Sequence, residues 1–108
     1  MGAAELLNLD PLAYGEISMV GGKFEASFRG RTLSLTYRAF VILYCLLSKP
    51  GQVVSREVLL EAVDGDITII DRNIDVHICS LRKKMRNGRH LIQTIRGLGY
   101  RLKETSRI

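Results

Sequence analysis

Residues 71–86 constrain the fold most, because their apolar residues follow a strict helical period. The members of this stripe lie at offsets of 0, 4, 7 and 11 and are Ile74, Ile78, Leu81 and Met85. Asp71 is a suitable N-cap for such a helix, and Asn87-Gly88 would end it. We therefore predict a helix over 71–86 that turns a narrow apolar stripe towards the core.

Two shorter helices are predicted before this one. Thr36 is the expected N-cap of the first, which ends at Lys49-Pro50-Gly51. Ser55 is the expected N-cap of the second, which reaches about Val63 before Asp64-Gly65-Asp66 interrupts the pattern.

Alternating segments predict strands on both sides of the helices. Between residues 14 and 35, short alternating runs separated by glycine turns indicate an antiparallel meander with one buried face. Its expected apolar residues are Ile17, Met19, Phe24, Ala26, Phe28, Leu33 and Leu35. Residues 91–95 and 100–102, joined by a glycine turn, predict a hairpin. This order is that of an α+β winged helix-turn-helix domain: an N-terminal antiparallel sheet, three helices and a C-terminal hairpin wing over 92–103.

A length of 108 residues allows one domain. We assign it to 14–108 and regard 1–13, which show no sustained period, as a linker or tail. The longest apolar run, Ala39 to Leu47, has nine residues, whereas a membrane-spanning helix needs about 20. The acidic start also lacks the features of a cleavable signal. The expected location is therefore the cytoplasm.

The net charge of +5 is unevenly distributed along the chain. Residues 1–66 hold six basic and eight acidic residues, a net of −2, whereas residues 67–108 hold ten basic and three acidic residues, a net of +7. Such a basic segment is typical of a protein that binds a polyanion, although a merely solvated basic face is the simpler alternative.

With the apolar stripe inward, the helix over 71–86 presents a small, cationic face to solvent. The residues that point directly outward are Arg72, Val76, Cys79 and Lys83. Asn73, Ser80 and Lys84 lie on one flank, Asp75 and Arg82 lie on the other, and His77 lies between the outward row and the core. A helix with this face can enter a major groove.

Individual residues suit particular contacts with DNA. Arg72, with the helix N-terminus, is placed for a phosphate, and a weak i,i+3 pair with Asp75 could coexist with that contact. Val76 offers an apolar surface to a thymine methyl, and Ser80 offers a hydroxyl to a base edge. For Lys83 and Lys84, phosphate contact competes with simple solvation.

The hairpin contributes two further candidate residues. Arg96 opens the glycine turn, where a long cation can reach into a narrow minor groove, or it belongs to a plain hairpin with an exposed arginine. Tyr100 is expected to pack beneath the hairpin, which leaves its hydroxyl available to a phosphate.

Ordered motifs in the second half of the chain resemble a known family. They are residues 54–60 (VSREVLL), 71–78 (DRNIDVHI), 81–85 (LRKKM) and 93–101 (QTIRGLGYR). From about Gly15 to Leu102 the chain is similar to the C-terminal effector domains of OmpR/PhoB-type response regulators.

The resemblance implies sequence-specific binding of double-stranded DNA in the control of transcription, with helix 71–86 in the major groove and wing 92–103 in the minor groove. The backbone contacts that it implies are Arg72, Arg82, Thr94 and Tyr100; the base-facing positions are Val76 and Ser80, and the wing arginine is Arg96. It also implies head-to-tail dimers on direct repeats and an RNA-polymerase contact from loop 64–70. A sensor kinase would act only through a receiver domain, which we expect to be absent from this chain.

Two other classes of function make different predictions. A winged helix that mediates only protein contacts would show an apolar outward face on helix 71–86, which Arg72, Ser80 and Lys83 disfavour. A hydrolase or metalloenzyme needs a nucleophile with its base, or closely spaced metal ligands. The candidates His77, His90, Asp71 and Asp75 lack such spacing, and so do the cysteines. We therefore expect no enzymatic activity, no metal and no cofactor.

Overall fold

The structure is a computed structural model and describes residues 11–64 and 73–104. The N-terminal strands are β1 (Leu12–Tyr14), β2 (Ile17–Val20), β3 (Glu25–Phe28) and β4 (Arg31–Leu33). The helices are α1 (Tyr37–Ser48), α2 (Arg56–Asp64) and α3 (Ile74–Met85), and the C-terminal strands are β5 (Ile92–Ile95) and β6 (Gly99–Leu102). Short 3₁₀ segments occupy Gly21–Lys23 and Arg86–Leu91.

The first four strands form an antiparallel sheet in chain order. Ile17 pairs with Phe28 and Met19 pairs with Ala26, so the period of two places all four side chains on one face. These side chains are buried, together with Leu33 of β4. The predicted meander is confirmed.

The first strand begins earlier than the sequence indicated. Leu12 pairs with Met19 and packs against the core, although we assigned residues 12 and 13 to the tail. A strand of three residues is too short to show a recognisable alternation. Residues 1–10 of the proposed tail lie outside the described residues.

Phe24 departs from the buried face on which it was predicted. It follows the 3₁₀ turn Gly21–Lys23 in a left-handed conformation, with φ of 52°, and its side chain is 41% exposed. Its ring stacks on Phe40 with 4.5 Å between the ring centroids. The alternation therefore begins one residue later, at Glu25, because the turn rotates the chain before the strand starts.

Helix α1 forms the centre of the domain. Thr36 is its N-cap, as predicted, and the Thr36 Oγ1 accepts a hydrogen bond from the Ala39 N–H at 3.2 Å. Eight of its 12 residues are buried, so the helix is covered on most sides by β1, α2, α3 and β6. In residues 11–64 and 73–104, no helix has the length and apolar character needed to cross a membrane.

Helices α2 and α3 are capped by polar side chains. The Ser55 Oγ accepts from the Val58 N–H at 3.1 Å, which confirms the predicted cap of α2. The predicted cap of α3 was wrong, because Asn73 rather than Asp71 precedes the first helical residue and accepts from the Val76 N–H at 3.4 Å. Both residue types are strong N-caps, and the helix begins where its apolar stripe begins.

The apolar stripe of α3 lies in the core as predicted. Its members are at most 2% exposed, and they are Ile74, Ile78, Leu81 and Met85. The end of the helix is held against the N-terminal sheet, because the Arg31 guanidinium donates to the Lys84 and Met85 carbonyls at 3.2 and 3.4 Å. Burial of the stripe sets the rotation of α3 about its own axis, and the Arg31 hydrogen bonds hold its C-terminal end.

The hairpin β5–β6 is attached to the segment before α2. The Val54 N–H donates to the Tyr100 carbonyl at 2.7 Å, and the Tyr100 N–H donates to the Val54 carbonyl at 3.0 Å. Gly99 makes this approach possible: its φ is 152°, and a Cβ there would lie 2.2 Å from the Val54 oxygen. Gly97, in the turn of the hairpin, has φ of 79° and open space around it.

We expect Gly99→Ala to destabilise the domain more than Gly97→Ala. The first change combines backbone strain with a clash that displaces Val54, and it should lower the free energy of unfolding by about 3 kcal/mol. The matched change at Gly97 adds only left-handed strain, about 1 kcal/mol. Urea unfolding of the two variants measures the difference, and equal losses would contradict the close approach of Gly99 to Val54.

Candidate nucleic-acid interface

The exposed side of α3 carries most of the predicted contact residues. Val76 is 55% exposed, and Cys79 and Lys83 are also exposed, as the helical geometry predicted. On the flanks, Asn73 and Lys84 are exposed, whereas Ser80 and His77 are half-buried. Arg72 lies outside the described residues, and so do residues 65–70 of the loop assigned to RNA polymerase.

The wing ends in a tight turn that exposes its side chains. The Leu98 N–H donates to the Ile95 carbonyl at 2.9 Å, which closes the turn around Gly97. Arg96 is exposed at this tip, and Leu98 is 61% exposed. A long cation therefore projects beyond the hairpin backbone, as the sequence indicated.

Tyr100 is buried, in agreement with the predicted packing, but its hydroxyl is engaged within the protein. The residue is 3% exposed, and its hydroxyl donates a hydrogen bond to Asp75 Oδ1. The Arg56 Nη2 donates to the same hydroxyl at 3.3 Å, and the Arg56 Nε donates to Asp75 Oδ1 at 2.9 Å. Three elements, α2, α3 and β6, meet at this point.

Arg82 connects α3 to the other strand of the hairpin. Its Nε and Nη2 donate to the Ile92 carbonyl at 3.0 and 2.6 Å, and its Nη2 donates to the Thr94 Oγ1 at 2.9 Å. The guanidinium carbons of Arg56 and Arg82 lie 5.0 and 5.8 Å from the centre of the Tyr100 ring. At these distances a cation is attracted to the ring. We name Arg56, Asp75, Arg82, Thr94 and Tyr100 the Tyr100 cluster.

Three groups of this cluster, Arg56, Asp75 and Tyr100, have shifted pKa values. Hydrogen bonds from Tyr100 and Arg56 lower the pKa of the Asp75 carboxyl. Burial, and then the hydrogen bond to Asp75, raises the pKa of Tyr100. The hydrogen bond to Asp75 raises the pKa of Arg56. Asp75 therefore stays ionised, and Tyr100 stays protonated as a donor.

The ion pair of the cluster is open to water. The side chains of Arg56 and Asp75 are 42% and 56% exposed, so solvent screening leaves the pair with little effect on stability. The ion pair has a larger effect on the surface charge than on stability, because Arg56 neutralises a carboxylate in the first turn of α3. Exposed cations also lie in the last turn of α3, in the 3₁₀ segment that follows it and at the tip of the wing, and they are Lys83, Lys84, Arg86, Arg89 and Arg96.

Arg56 was not predicted as a site residue, and Asp75 has partners other than the one expected from the sequence. We considered Asp75 as a partner of Arg72, on the same helix, whereas the structure pairs it with residues 19 positions before it and 25 positions after it in the chain. No local pattern carries that information. In the described part of the chain, no three His, Cys, Asp or Glu side chains are grouped as metal ligands would be.

Comparison with known proteins identifies the family of this chain. A family model described as "Transcriptional regulatory protein, C terminal" matches residues 30–102. The transcriptional regulatory protein CpxR of Escherichia coli strain K12 is 48% identical over 83 residues, which are 73% of this chain and 36% of that protein. The alkaline phosphatase synthesis transcriptional regulatory protein PhoP of Bacillus subtilis strain 168 is 38% identical over 97 residues, 86% of this chain and 40% of that protein. The chain thus spans about two fifths of the length of these relatives.

Solved structures share the fold. The DNA-binding domain of CpxR from E. coli has a TM-score of 0.78 and 40% identity, with 91% of this chain and 100% of that chain covered. The DNA-binding domain of RstA from Klebsiella pneumoniae, in complex with the RstA box, has a TM-score of 0.73 and 27% identity, with 88% and 98% covered. The winged-helix architecture is therefore confirmed, and the family consists of transcriptional regulators rather than enzymes. The chain belongs to the C-terminal effector domains of OmpR/PhoB-type transcriptional regulatory proteins.

Proposed function

We propose that this chain is the effector domain of a two-component response regulator and binds specific sequences of double-stranded DNA to control transcription. In this proposal α3 enters the major groove and the hairpin β5–β6 reaches the adjacent minor groove. The observation that carries the proposal is the pairing of a polar and cationic outer face on α3 with an exposed arginine at the tip of the wing. The RstA domain, which is similar in sequence and fold, was solved with its DNA site.

The exposed residues of α3 divide into two roles. Lys83 and Lys84 are long, exposed cations that suit phosphates, and we assign Arg72 to the same role from its place in the sequence. Val76 and Ser80 lie on the same face and have shorter side chains than the lysines, which lets the helix approach the base edges closely. Asn73 and His77 complete the surface on the flank that Ser80 and Lys84 occupy.

The wing arginine extends the contact beyond one groove. Arg96 is exposed beside Gly97, whose open surroundings leave room for a closely approaching DNA backbone. A narrow minor groove concentrates negative potential, and arginine is the side chain most often found there. We therefore assign Arg96 to the minor groove.

Other parts of the proposal concern the whole regulator. We propose head-to-tail dimers on direct repeats, a contact with RNA polymerase from the loop 64–70, and action in the cytoplasm without catalytic activity. Control by a sensor kinase would require a receiver domain outside these residues. A protein-interaction module is the weaker alternative, because the outer face of α3 is mostly polar, with Val76 as its one large exposed apolar side chain among the described residues 73–85.

We expect Lys83→Ala to weaken binding to every duplex and to reduce its dependence on salt. Each phosphate contact contributes about −0.9 to the slope of log K against log salt, so five or more contacts give about −4.5 or steeper and loss of one flattens it by about 0.9. Fluorescence anisotropy over a salt series measures this slope. Lys23→Ala, at an exposed lysine of the β2–β3 turn, is the matched control and should leave the slope unchanged. An unchanged slope for Lys83→Ala would remove its phosphate role.

We expect Ser80→Ala to change preference among sites rather than general affinity. Loss of a hydroxyl at a base edge should alter discrimination at one base pair by about 1 kcal/mol or more. Selection from randomised duplexes, followed by anisotropy on single-base variants, gives the measurement. Ser18→Ala, at an exposed serine of β2, serves as the control. If the Ser80 variant selects the same sites as the wild type, Ser80 does not read a base.

A further inference from the structure

Two tethers join α3 to the hairpin, at opposite ends of the helix. Asp75, in the first turn, accepts from the Tyr100 hydroxyl, and Arg82, seven residues later, donates to Thr94. Seven residues of α-helix separate the two tethers by about 10 Å. Thr94 and Tyr100 are direct partners across the two strands. Because the tethers start at different heights on α3 and end on one cross-strand pair, together they restrict the angle between helix and hairpin more than either tether does alone.

The hydroxyl of Tyr100 has no donor left for DNA while the cluster is formed. A tyrosine hydroxyl carries one hydrogen, and Tyr100 donates it to Asp75. Phosphate oxygens only accept hydrogen bonds, so a phosphate contact would require that bond to break. The residue as a whole is also only 3% exposed. These facts disfavour the phosphate contact that the family resemblance implied for Tyr100.

Part of the Arg82 guanidinium is also hydrogen-bonded within the protein. Its Nε and Nη2 hold the Ile92 carbonyl and the Thr94 hydroxyl, which leaves the hydrogens of Nη1 for a ligand. Thr94 accepts from Arg82 and keeps its own hydrogen to donate. Within the cluster, Tyr100 thus uses its hydrogen inside the protein, whereas Arg82 and Thr94 keep hydrogens that they can donate to a ligand.

We propose, on the basis of the proposed function, that Tyr100 and Asp75 are positioning residues that fix the wing relative to α3, so that Arg96 and the outer face of α3 reach two grooves together. Arg96 lies two residues beyond Thr94, and with Gly97 it stands about 7–10 Å from the tethered pair at the strand rise per residue. A tilt of the hairpin by roughly 10° moves that tip by about 1–2 Å, enough to disrupt a contact in a narrow groove.

Substitution of Asp75 distinguishes a positioning role of Tyr100 from direct contact between Tyr100 and a phosphate. If Tyr100 bound phosphate, Asp75→Asn would release its hydroxyl and remove a negative charge near the DNA, and binding would strengthen. If Tyr100 positions the wing, the same change weakens the tether and specific binding falls.

The first test needs no DNA. Tyr100→Phe removes only the hydroxyl and keeps the buried ring, so the fold should persist. Backbone ¹⁵N relaxation should show lower order parameters at residues 95–98 in Tyr100→Phe and Asp75→Asn than in the wild type. Tyr37→Phe, at a half-buried tyrosine that begins α1, is the matched control and should leave the wing unchanged. A wing equally rigid in all four proteins overturns the proposal, whatever the domain binds.

The second test is a double-mutant cycle on a duplex selected with the wild-type domain. We expect Arg96→Ala to cost about tenfold in affinity in the wild type and twofold or less in Tyr100→Phe, because the arginine is no longer held in place. Asp75→Asn should behave as Tyr100→Phe does. Losses that simply multiply, or tighter binding by Asp75→Asn, overturn the proposal. A rigid wild-type wing that loosens in Tyr100→Phe, in a domain that binds no duplex specifically, supports the positioning of the wing and instead refutes the proposed function.

Discussion

The burial of four side chains on one side of α3 determines which of its residues meet solvent. Ile74, Ile78, Leu81 and Met85 pack into the core beside α1, and each contributes roughly 1.5–3 kcal/mol when fully buried. Neighbouring residues of a helix lie 100° apart around its axis. A rotation of α3 by that angle would therefore bring charged side chains into the core. The outer face with Val76, Ser80 and Lys83 is thus a consequence of core packing, and it exists before any partner binds.

The position of the wing depends on hydrogen bonds as well as on apolar burial. Its strands are attached through backbone hydrogen bonds between Val54 and Tyr100 and through the polar Tyr100 cluster, with Ile92 and Leu102 buried beneath. Polar contacts are directional, whereas apolar burial tolerates small rotations. Packing therefore places the hairpin near α3, and hydrogen bonds at both ends of α3 set its angle.

The arrangement of α3 and the wing places basic side chains of both elements at the surface. A net charge of +7 over residues 67–108 does not stabilise a folded chain, since like charges repel. Arg56 neutralises Asp75, so the described part of the helix face that carries Lys83 and Lys84 keeps no unpaired carboxylate. A polyanion lying across α3 and the wing would meet cations from both elements.

The sequence by itself determined the elements, their order and the inner and outer sides of α3, because these depend on residue spacing within one segment. The caps Thr36 and Ser55, the meander and the glycine turn of the wing belong to the same class of local information. Where two local signals competed, as for Asp71 and Asn73 or at Phe24, the sequence pattern alone did not decide between them.

Only the tertiary structure decided how the side chains near the interface are engaged. Arg56, Asp75 and Tyr100 come from three elements spread over 45 residues, and their hydrogen bonds exist because α1 packs α2, α3 and β6 around itself. Distances between such groups depend on the packing of every element between them, so no spacing in the chain encodes them. The identity of an interface helix is thus a local property, whereas the role of each polar residue beside it is a property of the whole fold.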